Sequence, residues 1–409
     1  MRSAVRPQAR TSEARGTGEI FVENSYTGSA GDGQAVRVMA NWGEWVPAGA
    51  SAAQGQPGAP VTAAWERKGE RTDLFVTNAY GTVLTTNRTV DFGWQPWSEI
   101  GKSVLFPGTE VSAVWRGTRA VHLDLFAGGA DGTVMSTWWD RDGGWRQWFP
   151  IPGDRQVFPG ATVTAVWREG GTDHLDLFTT GIDGTVMSTF WEGEGGWRQW
   201  FPVQGDTKVA PGTAVTALWR PGHSHIDLFA SGSDGLVQST YWEPGIGWQP
   251  WFAVDKRPGV ASSTAAVAAV WRSPDHLDLL TIGPDSVRRQ GTVRSATWEP
   301  TTGWQEWYDV RPDSGHAYLG CHATVTAGKI TPEGVAYTDA FMTSWDGTVL
   351  VTYSSSGTDW HDWIQVRPET KLYPGAAVAA VWRDAERAEQ VDLFVSGIDG
   401  TVLTNRWTS

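Results

Sequence analysis

The stretch Ala161–Val203, ATVTAVWREGGTDHLDLFTTGIDGTVMSTFWEGEGGWRQWFPV, decides the fold, because nearly the same string recurs before and after it at a constant offset. It reads as four short strands: TVTAVW, HLDLFTT, GTVMSTFW after an Asp183-Gly184 turn, and GWRQWF after the glycine-rich GEGG. Each strand carries apolar residues on both faces, the pattern of a sheet buried between two neighbours.

Anchors fix the number of copies. The first-strand tryptophan falls at Trp65, Trp115, Trp167, Trp219, Trp271 and Trp382, with Lys329 in a degenerate copy. A fourth-strand W-x-x-W pair falls at Trp42/Trp45, Trp94/Trp97, Trp145/Trp148, Trp197/Trp200, Trp248/Trp251, Trp304/Trp307 and Trp360/Trp363. A second-strand aspartate is present in all seven copies, at Asp73, Asp124, Asp176, Asp227, Asp278, Asp339 and Asp392. The spacings of 50 to 58 residues match one four-stranded blade with its loops. The chain is therefore expected to be all-β, a seven-bladed β-propeller of four-stranded antiparallel blades.

The last copy ends at Ser409 without a fourth strand, while Ala35–Val46 carries the unpaired Trp42/Trp45. The N-terminal strand is thus expected to complete the last blade and close the ring, removing exposed sheet edges. Residues 1–17 read as a flexible tail and 18–409 as one propeller domain, with EIFVEN at 19–24 unplaced. Blade six diverges most, with Lys329 and Ile330 in the Trp-Arg position.

Bulk properties exclude several functions. A net charge of -13 and a pI near 5.1 argue against nucleic acid, whose binding needs clustered cations. No apolar run is long enough to span a membrane, and the N-terminus lacks a signal-peptide core, so Sec export would need a segment outside this sequence. A single cysteine, Cys321, allows neither an internal disulfide nor a thiolate metal site. No cofactor or metal is expected, and binding should be independent of divalent cations because no acidic loop recurs with calcium-ligand spacing.

The 27 tryptophans carry the chemistry. Residues three apart on a regular strand face opposite ways, so Trp197 and Trp200 are expected in different inter-blade grooves. Most indoles should act as wedges between blades; those near the rim offer flat faces on which a sugar ring stacks. Arg116, Arg168, Arg220, Arg272 and Arg383 each follow a first-strand tryptophan, and Arg67 comes one residue later in blade one. A guanidinium fork there suits hydroxyls or carboxylates, or equally an ion pair with loop acids.

His122, His174, His225 and His276 recur once per blade and cannot converge on one centre, so they are assigned to structural hydrogen bonds. The repeated second-strand aspartate is expected to tie loop N–H groups. No HExxH, G-x-S-x-G or P-loop occurs, and GIDGTVMST does not fit a sialidase box.

The combination xAVxW, HLDxFxxG-xDG and GWxxW resembles the seven-bladed propeller lectins of the bacterial Photorhabdus type, which are related to fungal fucose lectins and tectonins. The resemblance covers 35–409. It implies non-catalytic binding of fucosylated or O-methylated glycans in pockets between blades. By position the pockets would be lined by the pairs Trp115-Arg116, Trp167-Arg168, Trp219-Arg220, Trp271-Arg272 and Trp382-Arg383. Trp139, Trp191, Trp242 and Trp298 of the third strands would join them, with Trp145, Trp197 and Trp248 of the fourth. The chain departs from the family at Met135-Ser136, Met187-Ser188 and Gln238-Ser239, where a Trp-His pair is usual.

Such lectins also serve as targeting subunits of secreted toxin particles. The resemblance therefore implies an extracellular protein with a protein partner or a homo-oligomeric state; a cytoplasmic location is the alternative, because no signal-peptide core is visible. The arginine-over-lysine, alanine- and glycine-rich composition suits an actinobacterial source. Two alternatives stay open at this point: a protein-interaction scaffold, and a glycoside-processing enzyme whose first suspects would be the insertion SVRRQ at 286–290 of blade five and His322, Asp339 and Asp346 of blade six, where the repeat breaks.

Overall fold

The computed structural model describes residues 42–408, apart from 51–54, 67–69, 103–104, 118–120, 154–155, 169–170, 206, 258, 286–289, 312–314, 320, 331–335, 356–359 and 386–387. The chain divides into units 1–40 and 41–409, and the first lies outside the described residues, as do the expected tail boundary and EIFVEN. The blade-five insertion (286–290) and Arg67 fall, wholly or almost wholly, outside them as well.

The second unit is a seven-bladed β-propeller. Blade 3 shows the plan: Thr164–Trp167, His174–Thr180, Val186–Glu192, then a fourth strand in two pieces, Gly196–Trp197 and Phe201–Pro202. Blades 1 to 6 occupy 62–99, 111–150, 164–202, 216–253, 268–309 and 324–366. Blade 7 takes three strands from 379–408 and its fourth from Val46–Pro47, which pairs with Thr404 and Leu403; Trp42 adds a bridge to Trp407. Ring closure by the N-terminal strand is thus observed for residues 42–47.

Neighbouring blades are joined by two repeated contacts. Near the channel, the hydroxyls of Thr62, Thr164, Thr216 and Thr324 donate to the carbonyls of Val111, Val215, Val267 and Val378 in the next blade. Further out, a buried second-strand phenylalanine meets the first fourth-strand indole of the next blade edge to face: Phe75–Trp145, Phe126–Trp197, Phe178–Trp248, Phe229–Trp304, Phe341–Trp42 and Phe394–Trp94, at 5.7–6.3 Å. Each such pair adds about 1 kcal/mol beyond its buried area. The hydrophobic clusters accordingly span two blades each.

The two tryptophans of W-x-x-W do not face opposite grooves as expected. Trp197 pairs with Trp191 and Phe201 with Ser188, so two third-strand residues, Thr189 and Phe190, oppose three fourth-strand residues, 198–200. This β-bulge inserts one residue and restores the parity that a regular strand would alternate. It is held by Thr189 Oγ1, which donates to Arg198 O at 2.6 Å; Thr86, Thr137, Thr240 and Thr352 do the same in their blades. Both indoles therefore face the preceding blade. The second becomes a staple: Trp148, Trp363, Trp45 and Trp97 donate Nε1–H to Ile100 O, Val310 O, Val366 O and Ala48 O.

The second-to-third-strand hairpins end opposite the tryptophan-rich strand ends. In blade 3, Asp183 Oδ1 accepts from Thr185 N at 3.0 Å, while Asn78 replaces the turn aspartate in blade 1 by accepting from Tyr80 N and Thr82 N. Gly184 sits at φ +76°, and a Cβ there would lie 2.3 Å from Val209 O. Gly184→Ala should therefore cost roughly 2–4 kcal/mol, combining left-handed strain with a backbone clash. Urea unfolding checks this: a midpoint shift well under that equivalent would mean the loop yields freely.

Candidate functional site

Neighbouring residues of a strand point to opposite faces. The adjacent Trp-Arg pairs are consequently split, each tryptophan facing the preceding blade and each arginine the following one. Arg116 of blade 2 lies over the rings of Trp167 and Trp191 in blade 3, at 5.6 and 4.6 Å. Arg168 covers Trp219 and Trp242 at 5.9 and 5.0 Å, and Arg220 covers Trp271 and Trp298 at 5.4 and 5.0 Å. Among the described residues no pocket is made of one blade's own Trp-Arg pair.

Between blades 2 and 3 these groups enclose a cavity of about 610 Å³. Blade 2 supplies Arg116, His122, Asp124, Ser136, Trp138 and Phe149; blade 3 supplies Trp167, Leu175, Trp191 and Trp197. The size is that of a small-ligand site, and the walls are largely aromatic with a few converging polar groups.

Sequence reasoning gave the histidine and aspartate to structure alone, and the structure gives them both places. His122 Nε2 is 3.0 Å from Asp124 Oδ1, and the same contact recurs at His174–Asp176, His225–Asp227 and His276–Asp278. The aspartates thus hold a neighbouring cation or imidazole rather than loop N–H groups; in blade 1, Arg71 grips Asp73 at 2.7 and 2.8 Å. The imidazoles stack on the aromatic residue before each third-strand tryptophan: His122 on Trp138, His174 on Phe190, His225 on Tyr241. The signal that would have found this wall was the run of adjacent aromatics WW, FW and YW.

Burial opposes the charged form of His225, yet Asp227 and Glu243 outweigh it and hold the imidazole above its ordinary pKa. Burial raises Asp227 in turn, against the pull of His225.

Several polar atoms in these grooves have no protein partner. Trp115, Trp167, Trp219 and Trp271 each present a buried, unbonded Nε1–H, and Asp176 Oδ2 and Asp227 Oδ2 lack a donor. Arg116 spends Nε on Thr172 O at 3.1 Å. Buried polar atoms are nearly always paired in folded proteins, so such a set calls for ligand hydroxyls or water.

The seven grooves are unequal. In groove 1/2 the cation comes from Arg71, which lies over Trp115 and Trp139 at 5.7 and 4.4 Å. Groove 5/6 is filled: Trp360 is 2 % exposed and donates to Tyr308 Oη at 3.1 Å, while Arg272 turns onto Asp278. In groove 6/7, Trp382 Nε1 donates to Asp339 Oδ2 at 3.1 Å, and the register, with Thr326 opposite Asp339 as Val166 is opposite Asp176, puts Ala327 and Gly328 in the Trp-Arg position instead of the expected Lys329 and Ile330. Arg383, assigned with Trp382 to one pocket, faces groove 7/1 and pairs with Asp392. The suspected catalytic acids of blade six do not meet. Asp339 lies near the start of Ala336–Thr343 and Asp346 beyond its end, where Lys371 holds it. Among the described residues no group of His, Cys, Asp and Glu could hold a metal, and no helix is long and apolar enough to cross a membrane.

No protein-family model and no curated protein matches the chain. Solved structures do. The BP39L lectin of Burkholderia pseudomallei superposes with a TM-score of 0.76 at 20% identity, over 87% of this chain and 96% of that one. AofleA of Arthrobotrys oligospora superposes with a TM-score of 0.53 at 14% identity, over 80% and 90% of the two chains. At these identities the likeness is one of fold.

Proposed function

We propose that the protein is a non-catalytic, multivalent carbohydrate-binding propeller whose sites are the grooves 1/2, 2/3, 3/4 and 4/5. The observation that supports this is the repeated juxtaposition of a guanidinium, three indoles and unpaired polar atoms around one cavity. A pyranose presents an apolar C–H face to an indole and vicinal hydroxyls to a guanidinium and carboxylate, which is the complement of these walls. One of the superposing structures is itself a lectin, which agrees with this reading.

The apolar lining by Trp138, Phe149 and Leu175 favours neutral sugars carrying a methyl group, 6-deoxy or O-methylated. Four equivalent sites multiply weak monosaccharide affinity by roughly 100-fold or more on a glycan-coated surface, so we place the protein outside the cell. The acids of blade six stand apart, so the proposal includes no catalysis.

A glycan array carrying fucosylated, O-methylated and unmodified glycans tests it. The expected result is binding to a methyl-bearing subset that the free monosaccharide competes away. Silence on every saccharide, or capture of a protein that free sugar does not displace, would sink the proposal in favour of a scaffold.

A further inference from the structure

Groove 7/1 has the same backbone frame as the others and a different chemistry. Where blades 2, 3, 4 and 6 place an aromatic residue opposite the second-strand aspartate, blade 7 has Arg406; where blades 2 to 5 and 7 place the third-strand tryptophan, blade 1 has Arg88. Arg383 occupies the usual arginine position. All three converge on Asp392, which is 2 % exposed. Arg383 Nε lies 2.6 Å from Oδ2, Arg406 Nε 2.6 Å from Oδ1, and Arg88 Nη2 3.2 Å from Oδ2.

One carboxylate cannot neutralise three guanidiniums. Among the described side chains the groove holds two uncompensated positive charges, in a chain whose net charge is -13. Nor can it satisfy their donors, since each guanidinium carries five N–H groups and Arg383 spends a further one on Thr72 Oγ1. The side chain of Arg383 is buried and that of Arg88 nearly so, while Arg406 is 37 % exposed, so the charge grades from the floor of the groove to solvent. Trp65 and Trp94 remain half-buried beside it, and Arg88 lies 5.3 Å from the Trp94 ring.

We propose that groove 7/1 binds an anionic saccharide, the Arg88–Arg406 forks taking its carboxylate or sulfate group and Trp65 or Trp94 its ring. The neutral grooves and this one would thus divide the recognition of a glycan between them. The inference rests on the reading of the protein as a carbohydrate binder, and it adds a second ligand class. Arginine forks match planar carboxylates and sulfates by paired N–H donors, and two arginines in a partly buried groove hold such a group far better than an exposed lysine would.

The test uses the full chain and three probes: 3′-sialyllactose for the carboxylate, a 3-sulfated galactoside for the sulfate, and unsubstituted lactose as neutral control. Calorimetry should show binding of at least one charged probe, at least 10-fold tighter than lactose and weakened by raising sodium chloride; which probe binds identifies the anion. Arg406→Phe and Arg88→Trp introduce the residue types that blade 3 carries at these positions, Phe190 and Trp191, so both have a precedent for packing in this frame. Each should lower affinity for the charged probe at least 10-fold while methyl-fucoside binding at the other grooves is unchanged. Equal binding of charged and neutral probes, or charged-probe binding that survives both substitutions, overturns the proposal and leaves the cluster a staple between blades 7 and 1. Should a variant unfold, soaking the unmodified protein with the charged probe decides, by density at Arg88 and Arg406 or none there. Loss of neutral binding alone would strike the reading of the other grooves, not this one.

Discussion

Alanine at both Trp191 and Trp242 is expected to lower binding to a glycan-coated surface by at least 10-fold while the propeller stays folded. Each indole forms a wall beneath an arginine of the preceding blade, Arg116 at 4.6 Å and Arg168 at 5.0 Å. Removing the pair takes the stacking surface from two of the four complete grooves, and avidity falls steeply with the number of engaged sites. Both rings are only half-buried, so the stability cost is about 2 kcal/mol apiece, below that of a core tryptophan. The control is Trp345→Ala, which removes an exposed indole from a hairpin at the other end of the strands and should leave binding unchanged. Surface plasmon resonance on the cognate glycan, with thermal unfolding alongside, reads both effects. A folded double variant that binds as well as the parent would show that these tryptophans serve packing alone.

Removal of residues up to Pro47 is expected to have the largest effect on stability. That segment places the buried Trp42 and Trp45 in the seam between blades 6 and 7, with Trp45 Nε1 donating to Val366 O. Arg367 donates to Trp42 O at 2.8 Å and Gly43 N to Arg406 O at 2.8 Å, so the strand ties blade 6 to blade 7. Losing two buried indoles costs roughly 6–8 kcal/mol, comparable with the whole stability of an ordinary domain. It also bares the edge of Val402–Thr408 to pairing with other chains. Size-exclusion chromatography should show aggregation, or a melting point at least 10 °C lower. A truncated chain that stays monomeric with the parental melting point would mean that the ring closes without its seventh fourth strand.

The repeat was legible because every blade carries the same anchors at a nearly constant spacing, and buried sheets tolerate few substitutions at such points. Trp167, Trp191 and Trp197 were assigned to a pocket from the sequence, and the structure gathers them around one cavity with Arg116. Their partnership was not legible: Trp167 and Arg168 are adjacent in the chain and serve different grooves. The bulge at 198–200 was hidden for the same reason, since one extra residue on one strand leaves no trace in composition. Arg71 was missed because it moves the cation from the first strand to the second, a shift that alignment by anchors does not reveal. The arginine cluster on Asp392 draws on two blades more than three hundred residues apart, so no local pattern announces it.

Because each of the four complete grooves takes its cation from one blade and the indoles beneath it from the next, no blade owns a site, and this shapes how such a ring is inherited. A whole blade copied by duplication brings two half-sites, each useful only if the new neighbours carry the other half. A blade that drifts spoils recognition on both of its flanks. Blade 6 shows the outcome: Ser354 in place of the third-strand indole accompanies the filled groove on one side, and on the other, where Gly328 takes the arginine's register position, Trp382 bonds to Asp339. A change in one half-site removes a single groove, whereas the drift of a whole blade removes two adjacent ones, and a specificity such as that built from Arg88, Arg383 and Arg406 draws on two neighbouring blades at once.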